Sequence, residues 1–247
     1  MSIAAETGFP SLTLPPAYTL VSLREHKDAF AHACRIAREA GAGTFVWVRR
    51  FDLVEFAVVL EPEEPLASAR RAVFAGMAAL ADALAAFAPP EKPVTFAWPT
   101  TIHFDGGRLG GGRLGWPDDC AEDQVPEWLV FSGMLLSAVA ASLNPGEHPD
   151  VTWLEEEGFE SAASYAILES FARHLMTAFD AWAERGFGTV ADSYLSRLPK
   201  AEGEGRRGID GNGDLLIHRP GGLDRVPLLP GLREAAWYDR ATGLPRL

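Results

Sequence analysis

Cysteine is scarce in this sequence, which has only Cys34 and Cys120 in 247 residues. Two thiols so far apart do not form the disulfide framework of a small secreted domain, so a cytoplasmic location is expected. Long hydrophobic runs are also missing, because the most apolar stretch, residues 73–88, contains Asp82 and is shorter than the ~20 residues that cross a bilayer. Residues 1–17 lack the basic and apolar regions of a secretory signal.

Positive charge is scarce as well, with 22 Lys and Arg against 34 Asp and Glu and a formal net charge of -12. This balance argues against a nucleic-acid partner and against binding to an anionic membrane surface. The sequence also lacks His-Glu-x-x-His, Cys-x-x-Cys and a Gly-Lys-Ser/Thr phosphate loop. Gly110, Gly112 and Gly115 have dinucleotide-fingerprint spacing, but no helix is predicted after them, so we set that reading aside.

Glycine, by contrast, is concentrated in one place, residues 106–115. The residues before it, 94–98, are β-branched and aromatic, which predicts a buried strand that Pro99 ends. Residues 101–104 resume an extended conformation, and Asp105-Gly106 predicts a two-residue hairpin turn into the glycine-dense strand. Because glycine weakens a strand, this density predicts that a ligand or another backbone comes close.

Two segments of this region carry a family resemblance. The sequence Trp-Pro-Thr-Thr-Ile at 98–102, followed by Gly-Arg-Leu-Gly-Gly at 107–111, resembles the biotin and lipoate protein ligases. That family has Trp-Pro-Asn-Asp-hydrophobic and then Gly-Lys-hydrophobic-(Ala/Gly)-Gly on adjacent strands. The resemblance implies that Arg108 replaces the lysine that contacts the acyl carboxylate and the adenylate. It also implies that Gly110 and Gly111 let the ligand lie against the backbone.

The sequence departs from the family at several of these positions. Thr100 and Thr101 replace the Asn-Asp pair, which bears on nucleotide and metal handling. Arg108 keeps the charge of the lysine but is a planar fork, so the exchange is not conservative at a tight site. A second Trp-Pro pair at 116–117 precedes acidic residues, but no Gly-Arg-hydrophobic-Gly-Gly segment follows it.

The connection between two predicted strands, at 44–48 and 54–60, is a further departure. The biotin ligases have a long Gly-Arg-Gly-Arg-Arg-Gly segment there, which folds over the acyl-adenylate and excludes water. Here the connection is short and contains Arg49 and Arg50 without glycine. The absence of the long glycine- and arginine-rich segment argues against the usual adenylation chemistry. Arg49 and Arg50 are either part of a solvated turn or an anion-binding pair.

The resemblance therefore implies a set of site residues. Arg108 is the catalytic candidate. The ligand-binding candidates are Arg49, Arg50, Trp98, Pro99, Thr100, Thr101, Gly110, Gly111 and Gly112. We expect neither cysteine to be a nucleophile, because Cys34 lies on an apolar helix face and the carboxylates around Cys120 raise its pKa.

An α+β fold is expected, with a mixed or antiparallel sheet flanked by helices, as in the class II synthetase-like biotin/lipoate ligases. The predicted organisation is an extended arm (1–17), a ligase-like domain (18–199) and a small β module (206–247). Helices are predicted at 24–40, 66–87, 161–185 and 190–198, and further strands at 19–22 and 127–139.

A hairpin at 207–217 resembles one in the C-terminal barrel of the biotin ligases. Its acidic turn lacks the glycine and glutamate of a calcium loop, so no metal site is predicted.

Two functions follow from the resemblance. In the first, the chain binds a small carboxylic acid such as biotin or lipoate, or activates it with ATP and Mg²⁺ for transfer to a lysine of a biotinyl or lipoyl carrier domain. In the second, it is a catalytically inactive ligase-fold protein that serves as a small-molecule binding or protein-interaction module, because a fold does not fix a function.

Overall fold

The computed structural model describes residues 11–139, 147–160 and 162–247. Most of the predicted arm, a predicted turn at 144–146 and the first residue of the predicted 161–185 helix lie outside these ranges. The strands of the central sheet are Thr19–Leu23 (β1), Thr44–Val48 (β2), Leu53–Leu60 (β3), Val94–Ala97 (β4), Thr101–Phe104 (β5), Gly107–Gly115 (β6) and Leu129–Leu136 (β7). The helices are Ala29–Ala40 (α1), Leu66–Ala69 (α2), Ala72–Ala85 (α3), Ala163–Arg185 (α4), Gly188–Arg197 (α5) and Leu228–Arg233 (α6). The C-terminal strands are Arg207–Ile209 (β8), Leu215–Arg219 (β9), Gly222–Val226 (β10), Tyr238–Asp239 (β11) and Leu244–Pro245 (β12).

The central sheet has seven strands in the order β1-β2-β3-β7-β6-β5-β4. β1 and β2 pair in parallel and are joined through α1, whereas the other neighbours pair antiparallel. A parallel pair needs such a crossover, which a two-residue hairpin cannot supply. The predicted α+β class with a mixed sheet flanked by helices is confirmed.

One face of the sheet packs against α3, α4 and α5 through an aromatic core. Phe171 of α4 lies 4.4 Å from Phe56 and 5.8 Å from Phe131, measured between ring centroids. Two glycines make room for these rings. A Cβ on Gly133 would lie 2.6 Å from Phe56, and one on Gly76 would lie 2.3 Å from Phe131. In the predicted 66–87 helix, Leu66, Val73, Met77, Leu80 and Leu84 belong to this core, whereas Phe87 is exposed.

α1 begins at Ala29, five residues later than predicted. Asp28 caps it, since its Oδ1 accepts from the N–H of Ala31 at 2.8 Å. His26 has φ 67°, which a helix does not accommodate. The helix packs on the opposite face of the sheet through small residues, because Ala33 and Ala37 are buried in one apolar cluster with strand residues of β2, β3 and β7.

The predicted 66–87 helix is two helices, α2 and α3. The N–H of Arg71 donates to Ser68 O at 3.0 Å, and that of Val73 donates to Arg70 O at 3.1 Å. These three-residue steps tighten the chain and end the α-helical ladder. Arg70 also turns toward Glu122, with Nη1 2.6 Å from Oε2. No helix in the described ranges combines the length and the apolarity needed to cross a bilayer.

The C-terminal residues form a three-stranded sheet, β8 to β10, then α6 and the short β11-β12 pair. β8 and β9 form the predicted hairpin. Its turn is closed by Asp210, whose Oδ1 accepts from the N–H groups of Asn212 and Asp214. This module docks on the end of β4, where Trp98 Nε1 donates to Pro227 O at 3.4 Å. The domain boundaries themselves stay a prediction.

Candidate functional site

A β-bulge shapes the start of the glycine-dense strand β6. Its register against β5 shifts at Ile102 and His103, so that Ile102 pairs with Gly110 and His103 with Arg108. Gly110 has φ +150°, and a Cβ there would lie 2.1 Å from Met134 O of β7. Only glycine fits such an approach. At this position the glycine makes room for another backbone, one of the two alternatives that the glycine density predicted.

Gly111 makes room for a side chain as well as for backbone. A Cβ there would lie 2.2 Å from Thr100 O and 2.4 Å from Nε1 of Trp237. Trp237 is 1% exposed, and its Nε1 donates to Gly112 O at 3.2 Å. The N–H of Gly112 donates to Thr100 O at 2.9 Å. The Trp237 indole thus covers Gly111, one of the two glycines against which the resemblance places the ligand.

Arg108 lies on the same strand, three residues before Gly111. Its Nη2 donates to the main-chain oxygen of Arg246 at 3.0 Å. Its Nε is buried and has no acceptor among the described residues. No carboxylate of the described chain forms an ion pair with this guanidinium. Opposite it, His103 has its pKa lowered by burial and by the charge of Arg108. Among the described residues, the charge of Arg108 therefore has no ion-pair partner.

Residues 237–246, here called the C-terminal hairpin, hold these contacts in place. The hairpin is closed by the β11-β12 pair and by a hydrogen bond from Arg246 N to Trp237 O at 2.7 Å. Trp237 is buried in one apolar cluster with Leu53, Met134 and Leu136 of the sheet. The sequence predicts no element over residues 237–246 and gives no sign of this docking.

The predicted ligand residues at 98–101 contact other parts of the protein. The ring of Trp98 lies 6.0 Å from that of Tyr194 on α5, measured between centroids. Pro99 O accepts from the Tyr194 hydroxyl at 2.8 Å, and the Trp98-Pro99 peptide is cis. Thr100 and Thr101 are 1% and 5% exposed. A direct role of these four residues in ligand binding stays a prediction.

The connection between β2 and β3 spans residues 49–52. Arg50 donates from Nε to Asp52 at 2.8 Å and from Nη1 to Glu55 at 3.2 Å. The hydrogen bond that Arg50 donates to Asp52 is the main cause that raises the pKa of Arg50. Burial raises the pKa of the Glu55 carboxyl above its ordinary value, although the N–H of Ala29 and the charge of Arg50 oppose the shift. The charge of Arg50 is therefore already paired with the carboxylates of Asp52 and Glu55. Of the two arginines predicted to bind an anion, this leaves Arg49.

The two thiols are poorly suited to nucleophilic chemistry. Burial raises the pKa of Cys34 to about 12. Desolvation and then the charge of Asp119 raise the pKa of Cys120. A nucleophilic cysteine needs the opposite shift. Within the described ranges, no group of three or more His, Cys, Asp or Glu residues could hold a metal ion.

Comparisons with known proteins add a family to this geometry. The profile of the biotin/lipoate A/B protein ligase family matches residues 14–196. A curated relative, the biotin–[acetyl-CoA-carboxylase] ligase of Paracoccus denitrificans, is 25% identical over 240 residues, which cover 90% of this chain and 94% of that protein.

Solved structures show the same fold. A biotin protein ligase-like protein of unknown function from Silicibacter sp. TM1040 is 29% identical, with a TM-score of 0.76 over 90% of this chain and 99% of that one. The biotin protein ligase of Aquifex aeolicus, solved in complex with biotin and ATP, is 16% identical, with a TM-score of 0.61 over 84% of this chain and 94% of that one. At this lower identity, the likeness concerns the fold.

Proposed function

Because the chain belongs to the biotin/lipoate A/B protein ligase family, we propose that it binds a small carboxylic acid on the face of β6 that the C-terminal hairpin covers. One observation carries this proposal. The hairpin contacts two of the positions that the family resemblance gives to the ligand, with Arg246 O at Arg108 and Trp237 at Gly111. An acid of the biotin or lipoate kind would replace both contacts.

Arg108 supplies the reason why an acid is the ligand. Its present acceptor is a neutral carbonyl, and its Nε is buried without an acceptor. A buried donor left unpaired costs ~1–3 kcal/mol. A carboxylate would accept from Nε and Nη2 together, and such a charge-assisted, bidentate pair is stronger than a bond to a carbonyl. Arg108 is therefore proposed as the carboxylate-binding residue.

The body of the acid would lie against Gly111, where the Trp237 indole now packs. Ligand and hairpin then compete for one surface, so the apparent affinity is reduced by the fraction of molecules in which the hairpin is open. This competition does not require the hairpin to unfold completely. Release of the Trp237–Gly112 hydrogen bond and of the Arg108–Arg246 contact is sufficient.

Activation of the acid with ATP and Mg²⁺ is a second candidate function. It is favoured by the relative from Paracoccus denitrificans, which is named as a biotin–[acetyl-CoA-carboxylase] ligase. The described residues fit it less well. The connection that would cover an adenylate is short, Arg50 is engaged by Asp52 and Glu55, and Thr100 and Thr101 are buried. We therefore assign binding as the first function.

Calorimetry with biotin, lipoate and octanoate, each with and without ATP, tests the first function. At least one acid should bind the wild-type protein, and Arg108→Ala should abolish that binding. Arg219→Ala is the matched control, because Arg219 lies on β9 and pairs with Asp224 and Glu204 away from β6. Equal binding by Arg108→Ala, or no binding of any acid, would refute the proposal.

The second function needs its own assay. Acid-dependent release of pyrophosphate from ATP, followed by transfer of radiolabelled acid to a biotinyl or lipoyl carrier domain, would establish ligase activity. Binding of an acid without either signal would instead identify a ligase-fold protein that has kept the binding site alone.

A further inference from the structure

A cleft of about 1010 Å³ opens between α1, the end of β6 and the C-terminal hairpin. Arg113 lies in it, with its guanidinium carbon 4.0 Å from the ring centroid of Phe30 and 4.2 Å from that of Tyr238. Arg108 does not line this cleft. Trp237, which covers Gly111, does not line it either, whereas Tyr238 and Arg246 of the C-terminal hairpin do. The cleft therefore borders the proposed acid site on the same face of β6.

The strand is built to hold this arginine between two rings. Gly111, Arg113 and Gly115 alternate along β6 and so point to the same face of the sheet. A Cβ on Gly115 would lie 2.8 Å from Phe30, and one on Gly111 would lie 2.4 Å from Trp237, which precedes Tyr238. The glycines on either side of Arg113 thus allow aromatic side chains from α1 and from the hairpin to approach it.

The guanidinium is held but not neutralised. Arg113 is half-buried and forms no hydrogen bond or ion pair with another described residue. A guanidinium stacked between rings keeps its N–H edge free, and this planar edge matches a carboxylate or a phosphate. Because stacking already fixes the Arg113 side chain, this side chain loses less conformational freedom on binding an anion than a mobile arginine would.

The charge around the cleft also favours an anion. Five arginines line it, against three carboxylates, in a protein whose formal net charge is -12. Across the described residues, no ion pair joins the two sets. The arginines are Arg35, Arg113, Arg233, Arg240 and Arg246, and the carboxylates are Asp118, Glu234 and Asp239. A cleft lined by an excess of one sign raises the local concentration of the opposite ion.

We propose that this cleft is a second binding site, in which Arg113 binds the oxyanion of a small organic molecule, either a carboxylate or a phosphate. Phe30 and Tyr238 position the guanidinium, and the surrounding arginines attract the anion. The two sites share the C-terminal hairpin, whose Tyr238, Arg240 and Arg246 line this cleft, but each has its own arginine. If Arg113 only joined the hairpin to α1, its replacement would change stability without changing the binding of anions.

Titration of the full chain with pyrophosphate, AMP and octanoate tests the proposal, by calorimetry and by tryptophan fluorescence. At least one probe should bind, with an affinity that falls as salt is added. Arg113→Met keeps the apolar stem and removes the charge, and it should weaken binding roughly ten- to hundredfold, the loss expected for a charge-assisted hydrogen bond. Arg113→Lys should retain part of the affinity. The probe that binds distinguishes a phosphate from a carboxylate ligand.

Two control variants separate this site from others. Arg38→Met alters an exposed arginine of α1 that pairs with Glu127 outside the cleft, and it should bind the probe as the wild type does. A probe bound in the cleft should lose affinity in Arg113→Met and keep it in Arg108→Ala, whereas an acid bound at the proposed acid site should show the opposite pattern. No binding of any probe to the wild-type protein, or equal binding by a folded Arg113→Met, would overturn the proposal. If Arg113→Met fails to fold, equal affinity of Arg113→Gln for the probe would overturn it.

Discussion

At the scale of single residues, the glycines of β6 determine what covers each face of the strand. Gly112 faces the helical core, where a Cβ would lie 2.7 Å from the sulfur of Met77. Gly111 faces the opposite way, toward Trp237. The sequence predicts a close approach at these positions from glycine density alone. It does not identify Trp237 as the partner, because no periodicity connects residues 126 positions apart.

Gly111→Ala should destabilise the protein. Its Cβ would meet the main-chain oxygen of Thr100 at 2.2 Å as well as the Trp237 indole. Backbone has little freedom to move, so a cost of ~1–3 kcal/mol is expected, as for an overpacked core. Thermal unfolding followed by circular dichroism should show a melting temperature lower by roughly 2–12 °C. Gly208→Ala, where nothing lies within 4 Å, is the control. An unchanged melting temperature for Gly111→Ala would contradict this packing.

Glu55→Gln should change how stability depends on pH. Glu55 is 2% exposed, and burial raises its pKa in the folded state above the ordinary 4.5. Below pH 4.5 the carboxyl is neutral in both states and imposes no cost. Between 4.5 and the folded pKa, the unfolded chain ionises more readily, so the wild type loses stability relative to the glutamine variant as the pH rises.

Urea unfolding of both proteins between pH 4 and 8 measures this difference. The midpoint of Glu55→Gln should rise relative to the wild type across the window that begins at pH 4.5. Since both chains share every other titrating group, the comparison isolates Glu55. A difference that is constant with pH, or that falls, would show that Arg50 and the N–H of Ala29 outweigh burial.

At the scale of elements, local signals place the strands well and the helix ends less well. The turn at Asp105-Gly106 and the strands on either side of it follow from β-branched residues, proline and glycine. The start of α1 follows from the Asp28 cap and not from the apolar period that suggested residue 24. The break between α2 and α3 depends on the contact of Arg70 with Glu122, 52 residues away. A helical periodicity describes only neighbouring residues and cannot predict this contact.

The C-terminal hairpin gives the element-scale prediction. Trp237→Phe removes the N–H that donates to Gly112 O and keeps an aromatic ring on Gly111. Loss of such a bond costs ~1 kcal/mol, so the open state of the hairpin should become about fivefold more populated. The apparent dissociation constant of the acid that binds the wild-type protein should fall by about the same factor.

Calorimetry with that acid measures the change. Trp182→Phe is the matched control, because Trp182 lies on α4, where its ring packs against Phe187 and away from β6. Its affinity for the acid should equal that of the wild type. Unchanged or weaker binding by Trp237→Phe would show that the hairpin does not compete with the ligand.

At the scale of the whole molecule, the resemblance over two short segments anticipates the fold, because the Trp-Pro corner and the glycine strand lie side by side on β4 to β6. Composition does not anticipate the cleft. A net charge of -12 describes the whole chain, whereas the arginines around Arg113 come from α1, β6 and the C-terminus and meet only in the folded state.

The central claim is that Arg108 binds a carboxylate at the position that Arg246 O of the C-terminal hairpin occupies in the free protein. Nitrogen-15 NMR of the arginine Nε–H groups tests it most directly, with the Arg108 signal assigned by its loss in Arg108→Lys. Addition of biotin, lipoate or octanoate should move this signal downfield and slow its exchange with water, because Nε gains an acceptor that it lacks in the free protein. An acid that binds by calorimetry while the Arg108 signal stays in place would contradict the claim.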